Sequence, residues 1–265
     1  MKTIGLIAAM QQEIRPLTKL AVRWEAVRVS TFPAFHFRLN DKDCMLVRSG
    51  VGHQHAADAA HALFQAVRPE ILISYGIAGA VDSGLRIGDI VAGKRSCLLE
   101  DGVPKKDLHL EQLSTIEFRA IADALEPHGA SLVSGTIITT SGAQPVQDKT
   151  KELPHPVAEM ETYGIAEVAT EHGIPLLALR SISDNPEEPI PLSIEELYDA
   201  EYHLRTGWLI RTILRRPTLL PALLRLARNS DIATKNAAWA VMAYLNHSSS
   251  DISGEGYQSL SPTIR

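Results

Sequence analysis

Cysteine is nearly absent from this chain, with only Cys44 and Cys97 among 265 residues. Two cysteines cannot build a disulfide framework, and they fit a reducing, cytoplasmic compartment. No stretch reaches the roughly 20 apolar residues that a membrane-spanning helix requires. The apolar start, residues 1–10, carries no basic segment beyond Lys2 and no clear cleavage site, so a first strand is expected there and not a signal peptide. An excess of positive charge is missing too, because the net charge is −5, and no nucleic acid is expected as a partner. The ten histidines are scattered. Their one close pair, His53 and His55, has a spacing that on a helix does not bring two ligands to one face. Neither a metal nor a cofactor is therefore expected, and no internal repeat is visible.

What the chain does have is a 45% hydrophobic content, enough for one large α/β domain with a sizeable core. Apolar runs alternate with helical patterns. Strands are expected at 2–9, 24–29, 35–39, 44–48, 71–75, 86–91, 131–139 and 175–181, and helices at 11–20, 53–67, 117–128 and 161–172. Residues 96–115 are polar and are expected to form an irregular surface loop. Strands alternating with helices predict a three-layer αβα fold around a twisted, mostly parallel, mixed sheet. Ligands of such sheets bind beyond the carboxyl ends of the strands. Residues 10–13, 49–52, 76–79, 141–145 and 183–185 all fall at such ends.

The C-terminal segment differs in texture. Residues 204–245 hold seven basic residues (Arg205, Arg211, Arg215, Arg216, Arg225, Arg228, Lys235) against one acid, Asp231, a balance of +6. Leucines interleave with them, and Pro217 and Pro221 are expected to divide the segment into short helices, with a third near 232–245. This suggests a domain over 1–216, a basic amphipathic helical extension over 217–246, and a disordered tail over 247–265. Two readings of the extension stand side by side. It is a cap whose leucines pack on the sheet, or it lies in a membrane interface, which would place the protein on the inner face of the membrane.

Three acids stand where an apolar run meets a turn: Glu13, Glu161 and Asp184. Three carboxyls converging on one pocket suit cleavage of a glycosidic bond, whose transition state resembles an oxocarbenium ion. One acid protonates the leaving group, a second activates water, and a third grips the sugar hydroxyls. Desolvation penalises the ionised form and can keep the protonating acid neutral, with its proton, near neutral pH, and Asp184 is the candidate. Glu13 is placed to take a proton from water, and Glu161, opening a helix, to bind ribose. Each has a plainer alternative: Glu13, Glu159 and Glu161 can complement helix dipoles, and Asp184 can form a turn. The glycines at 50, 52, 76 and 79 either make tight turns or let the backbone approach a ligand.

The motifs Ile-Ala-Ala-Met-Gln-Gln-Glu (7–13), Ser-Gly-Val-Gly (49–52), Gly-Ile-Ala-Gly-Ala (76–80), Gly-Asp-Ile-Val (88–91), Glu-Met-Glu (159–161) and Arg-Ser-Ile-Ser-Asp (180–184) occur in that order. Together they resemble the nucleoside phosphorylase/nucleosidase superfamily over about residues 1–215, and within it the methylthioadenosine/S-adenosylhomocysteine nucleosidases. The resemblance implies a cytoplasmic homodimer acting on an adenine nucleoside. Glu13 would be the base for water and Asp184 the acid toward N7 of adenine, while Glu161 would bind the ribose hydroxyls and Met160 pack on the sugar. Gly76, Ile77, Ala78 and Gly79 would line the ribose and water site. Met10, Ser49, Gly50, Pro145, Glu159 and Ser183 would complete the substrate contacts, with Arg180 supporting Asp184 from behind.

The chain also departs from the pattern. Ser74 stands where the phosphorylases carry an arginine, and Gln11-Gln12-Glu13 replaces an arginine-bearing first loop. Loss of those phosphate ligands favours hydrolysis over phosphorolysis, with Arg48 as a replacement anion ligand. The loop that holds an aromatic in the methylthioadenosine enzymes reads Gly-Ala-Gln-Pro-Val (142–146) here. The basic segment 214–228 is similar to the C-terminus of hopanoid-associated members, whose substrate is an adenosine joined through its 5′ carbon to a polycyclic lipid. A lipid-linked nucleoside is the expected substrate. An ordinary methylthioadenosine/S-adenosylhomocysteine nucleosidase, a purine nucleoside phosphorylase, and a binding protein that has lost catalysis are the alternatives.

Overall fold

The computed structural model describes residues 1–21, 23–81, 83–100, 103–140, 150, 152–184, 212 and 215–247. The first strand, β1 (Lys2–Ala8), leads directly into α1 (Gln11–Leu20). A meander follows, β2 (Trp24–Val29), β3 (Phe32–Leu39) and β4 (Lys42–Arg48), and then α2 (His53–Val67). Next come β5 (Ile71–Ala80), β6 (Ile90–Glu100) and β7 (Val103–His109). After α3 (Thr115–Leu125) the chain enters β8 (Leu132–Thr140), β9 (Pro156–Glu159), α4 (Thr162–His172) and β10 (Leu176–Asp184). The described chain ends in a long helix, α5 (Leu220–Asn246).

The strands form one mixed sheet in the order β10-β6-β8-β9-β5-β1-β4-β3-β2, with β7 beside β6 and an added pairing of β10 with β5. That added pairing closes β5, β10, β6, β8 and β9 into a ring. β1 is parallel to β4 and β5, and β5 is parallel to β10. The central strands are apolar on both faces, as β5 shows, where Ile71–Tyr75 are all buried. This is the pattern of strands covered from both sides. One core lies between the sheet and α1, α3 and α5, and a second between the sheet, α2 and α4. The αβα architecture with a mixed sheet is the one the pattern predicts.

Two local expectations are overturned. Residues 96–115 are not an irregular loop, because β6 runs to Glu100 and turns back as β7, pairing antiparallel from Arg95↔His109 to Glu100↔Val103. The lysine-rich composition hid a strand in which Lys106, Asp107 and His109 are exposed. The second expectation, on the C-terminal segment, is overturned in part: a break does fall at Pro217, after helical residues 212 and 215, but Pro221 makes none. A single 3-10 turn, Pro217–Leu219, leads into 27 continuous residues of α5. Pro221 falls in the first turn of α5, where its missing N–H removes no helical hydrogen bond. The far half of α5 belongs to the main core: Ala237, Ala238, Ala240, Val241 and Leu245 are fully buried in it. Buried Asn236 donates to the Gly88 carbonyl at 2.9 Å, and Lys42 donates to the His247 carbonyl at the helix end at 3.2 Å. The expected tail from 248 onward lies outside the described residues. No described helix is long and apolar enough to cross a membrane.

Candidate active site

Parallel alignment brings the carboxyl ends of β1, β4, β5 and β10 to one edge of the sheet. The register pairs Ala8 with Arg48, Arg180 with Gly76 and Asp184 with Gly79. Glu13 reaches this edge from the first turn of α1. Its side chain is buried, and it accepts from the Met10 N–H at 2.9 Å and the Ile77 N–H at 3.1 Å. Burial lifts its pKa above the ordinary carboxylate value, while those backbone donors and the Arg180 charge resist the lift.

β5 carries glycine at the two positions that face acids. A side chain at 76 would run into Glu13 Oε1, and the first carbon of one at 79 would sit 2.6 Å from Asp184 Oδ2. Glycine at these positions therefore lets two carboxyls approach the strand backbone closely. Asp184 closes β10 and is half-buried; Ser183 Oγ donates to its Oδ1 at 2.7 Å. Ser183 also reaches the Ala78 carbonyl at 3.4 Å.

Glu161 is the N-cap of α4, and its Oε1 accepts from the Gly52 N–H at 3.0 Å. Gly52 presents that N–H from a φ of +107°, a conformation that side-chain-bearing residues rarely adopt. Burial first, and then the negative charge of Glu159, push the Glu161 carboxyl up to about 8; Glu13 adds to the effect and Arg180 opposes it. Ser49, Gly50 and Met10 flank the same edge. The Ser49 and Gly50 N–H groups bond to Ala8 and Ala9, and Ser49 Oγ donates to the Gly50 carbonyl at 2.8 Å. Arg48 lies nearby and donates to Gln11 Oε1 at 3.3 Å.

Beneath the acids lies a polar network that the sequence did not reveal. Arg180 is buried and spans from Glu159 Oε2 (2.8 Å from Nη2, 3.1 Å from Nε) to Ser74 Oγ and Thr162 Oγ1, both at 2.8 Å. Glu159 also accepts from Thr139 Oγ1 and from the Glu161 and Thr162 N–H groups at 3.0 and 2.9 Å. Burial works against the Glu159 charge, but Arg180 and the hydroxyls outweigh it and hold its pKa below the usual range.

Two expectations change as a result. Glu159 does not turn toward a substrate, because both its oxygens are occupied by protein donors and only 6% of the residue is exposed. Arg180 supports the Glu159 carboxylate, not Asp184, whose side-chain partner among the described residues is Ser183. Thr139 and Thr162 were missed, and Ser74 was noted only for replacing an arginine, not as a partner of Arg180. Their hydroxyls are ordinary in sequence and become informative only when paired with a buried ion. Met160 is half-buried between the two glutamates. Pro145 and its loop, like residues 185–191, lie outside the described residues.

The geometry thus gathers Glu13, Glu161 and Asp184 around the end of β5 at residues 76–79, with an ion pair set behind them. A model of the phosphorylase superfamily matches residues 3–205. The 5′-methylthioadenosine/S-adenosylhomocysteine nucleosidase of Haemophilus influenzae (strain PittEE) is 30% identical over 207 residues, covering 73% of this chain and 90% of that protein. The enzyme of the same name from Buchnera aphidicola is 27% identical over 213 residues, covering 74% and 90%. Among solved structures, the Neisseria meningitidis 5′-methylthioadenosine/S-adenosylhomocysteine nucleosidase in complex with methylthio-immucillin-A superposes with a TM-score of 0.67 at 21% identity, covering 93% of this chain and 99% of that one. Futalosine hydrolase of Helicobacter pylori superposes at 0.66 with 16% identity, covering 92% and 97%. The two structural likenesses establish a shared fold.

Proposed function

This chain belongs to the phosphorylase superfamily, and we propose that it is a purine nucleosidase that hydrolyses the N-ribosyl bond of an adenine nucleoside. The observation that carries this reading is the meeting of Glu13, Glu161 and Asp184 at the glycine-bearing end of β5. Glu13, anchored by two backbone N–H groups, takes the proton of the attacking water. Asp184, oriented by Ser183, delivers a proton to the departing base. Glu161 holds the ribose hydroxyls, and with its pKa near 8 it can donate as well as accept. Each proton transfer of this kind contributes on the order of 10²–10⁴ in rate. Water is the nucleophile in this reading, because Ser74 stands behind the site bonded to Arg180 and offers no charge to phosphate.

The substrate we assign carries an apolar 5′ substituent, of the adenosylhopane type. Supporting this finer reading is the near half of α5, where Leu220 and Leu224 are 41% and 61% exposed on a stretch of about two turns that also bears Arg225 and Arg228. Such a surface suits contact with a lipid-bearing membrane face. The curated relatives favour a second reading, the methylthioadenosine or S-adenosylhomocysteine that their names specify.

Incubation with methylthioadenosine, S-adenosylhomocysteine, inosine and an adenosyl lipid, each with and without phosphate, tests these readings by chromatography of the products. Free adenine and a free ribose product without phosphate is the expected result for the three adenine nucleosides, fastest with the lipid, and cleavage of inosine would be read as hypoxanthine. A ribose 1-phosphate product would reverse the choice of nucleophile. Equal or better turnover of methylthioadenosine would remove the lipid assignment. Replacing Leu220 and Leu224 by serine should abolish sedimentation with anionic liposomes while leaving turnover of water-soluble nucleosides unchanged.

A further inference from the structure

Far from the acids, α2 and α4 bring together a second group of ionisable side chains. His61 of α2 and the last two residues of α4, Glu171 and His172, each offer one ligand atom, and these atoms all lie within 4.8 Å of one another. His61 Nε2 is 3.8 Å from Glu171 Oε2. We propose that His61, Glu171 and His172 bind a divalent transition-metal ion of the zinc class. Two imidazole nitrogens and one carboxylate oxygen form a donor set that suits zinc. Magnesium and calcium prefer oxygen ligands throughout.

Three further features fit an ion here. The His172 ring is held in place, stacked on Phe64 at 3.8 Å between centroids and set edge-on to His61 at 5.7 Å. The group lies at the C-terminal end of α4, where the helix dipole favours positive charge. The side chains that must move are free to do so, since those of His61 and Glu171 are 41% and 63% exposed. Zinc ligands at about 2.1 Å from the ion stand roughly 3.4 Å apart in tetrahedral geometry, so rotamer adjustments of about 1–1.5 Å close the site. Water completes the coordination.

The ion would act as a structural clip. α4 has 11 residues, so the site sits about 16 Å from Glu161 at the opposite helix end. It would join two helices already in close contact, since a side chain at Gly164 would overlap the His53 carbonyl. The N-terminal ends of those helices supply the Gly52 N–H and Glu161.

The test uses untagged protein stripped with a chelator and titrated with Zn²⁺, with Mg²⁺ as a comparison, by calorimetry and thermal unfolding. One equivalent of Zn²⁺ should bind, and at 100-fold excess over Kd it should raise Tm by about 5 °C. Mg²⁺ should leave Tm unchanged. His61→Gln and Glu171→Gln should each weaken Zn²⁺ binding at least tenfold with the metal-free Tm unaltered. Undiminished Zn²⁺ affinity in both variants, absence of a stoichiometric site in the parent protein, or an equal response to Mg²⁺ would overturn the proposal.

Discussion

Glu13 occupies the space that any side chain at Gly76 would need. The carboxylate comes from α1 and the glycine from β5, and the Ile77 N–H bonded to Glu13 joins the two. The position of the proposed base thus depends on a hydrogen atom standing where a methyl group would be.

Gly76→Ala should therefore displace the Glu13 carboxylate. The expected outcome is a fall in turnover of about 10²-fold, with a loss of stability of about 1–3 kcal/mol from overpacking. Nucleoside turnover beside a urea unfolding curve reads both. Turnover within threefold of the parent protein would mean that Glu13 does not act from this position.

Glu13→Gln and Asp184→Asn each keep the shape of the side chain while removing proton transfer. Each should lower turnover by about 10²-fold or more and leave circular dichroism and thermal unfolding close to those of the parent. Near-normal rates in both would sink the roles assigned to these acids.

The raised pKa of Glu161 makes stability depend on pH. The folded protein keeps a proton on this carboxyl up to about pH 8, whereas the unfolded chain releases it near 4.5. Between those values the folded state binds more protons, so its stability is greatest on the acid side and falls as pH rises, by at most about 1.4 kcal/mol per pH unit. Glu161→Gln should flatten the urea-derived stability of the ligand-free protein between pH 5 and 8. Glu13, also raised, leaves a residual slope of the same sign. Equal slopes in parent and variant would contradict this.

Arg180→Met would leave the Glu159 charge buried without its cation. A destabilisation of about 3–5 kcal/mol is expected, measurable by denaturant titration. Adding Glu159→Gln to that variant should recover part of the loss. A single substitution that costs under about 1 kcal/mol would mean that the ion pair does not hold the base of the site.

Several elements were readable because their signals are local. The run before Glu13, the glycines opening α2 and the apolar β5 each follow from a few adjacent residues. β9 was not readable, since its four residues are too short to show a strand period, and β7 was concealed by its lysines. α5 was misread because proline was given its interior meaning at a first-turn position.

Glu159 and Glu161 show most clearly where sequence stops and folding begins. By itself the sequence determined which residue types stand at the strand ends, because apolar periodicity and turn chemistry are local. Glu-Met-Glu offered two like acids with nothing local to separate them. Tertiary structure decided that Glu159 faces a buried guanidinium and keeps its charge. Glu161, two residues on, faces Gly52 and other acids, and retains a proton. The physical reason is that a carboxyl's charge state is set by its surroundings, and those surroundings come from β5, β8 and β10, far apart in the chain.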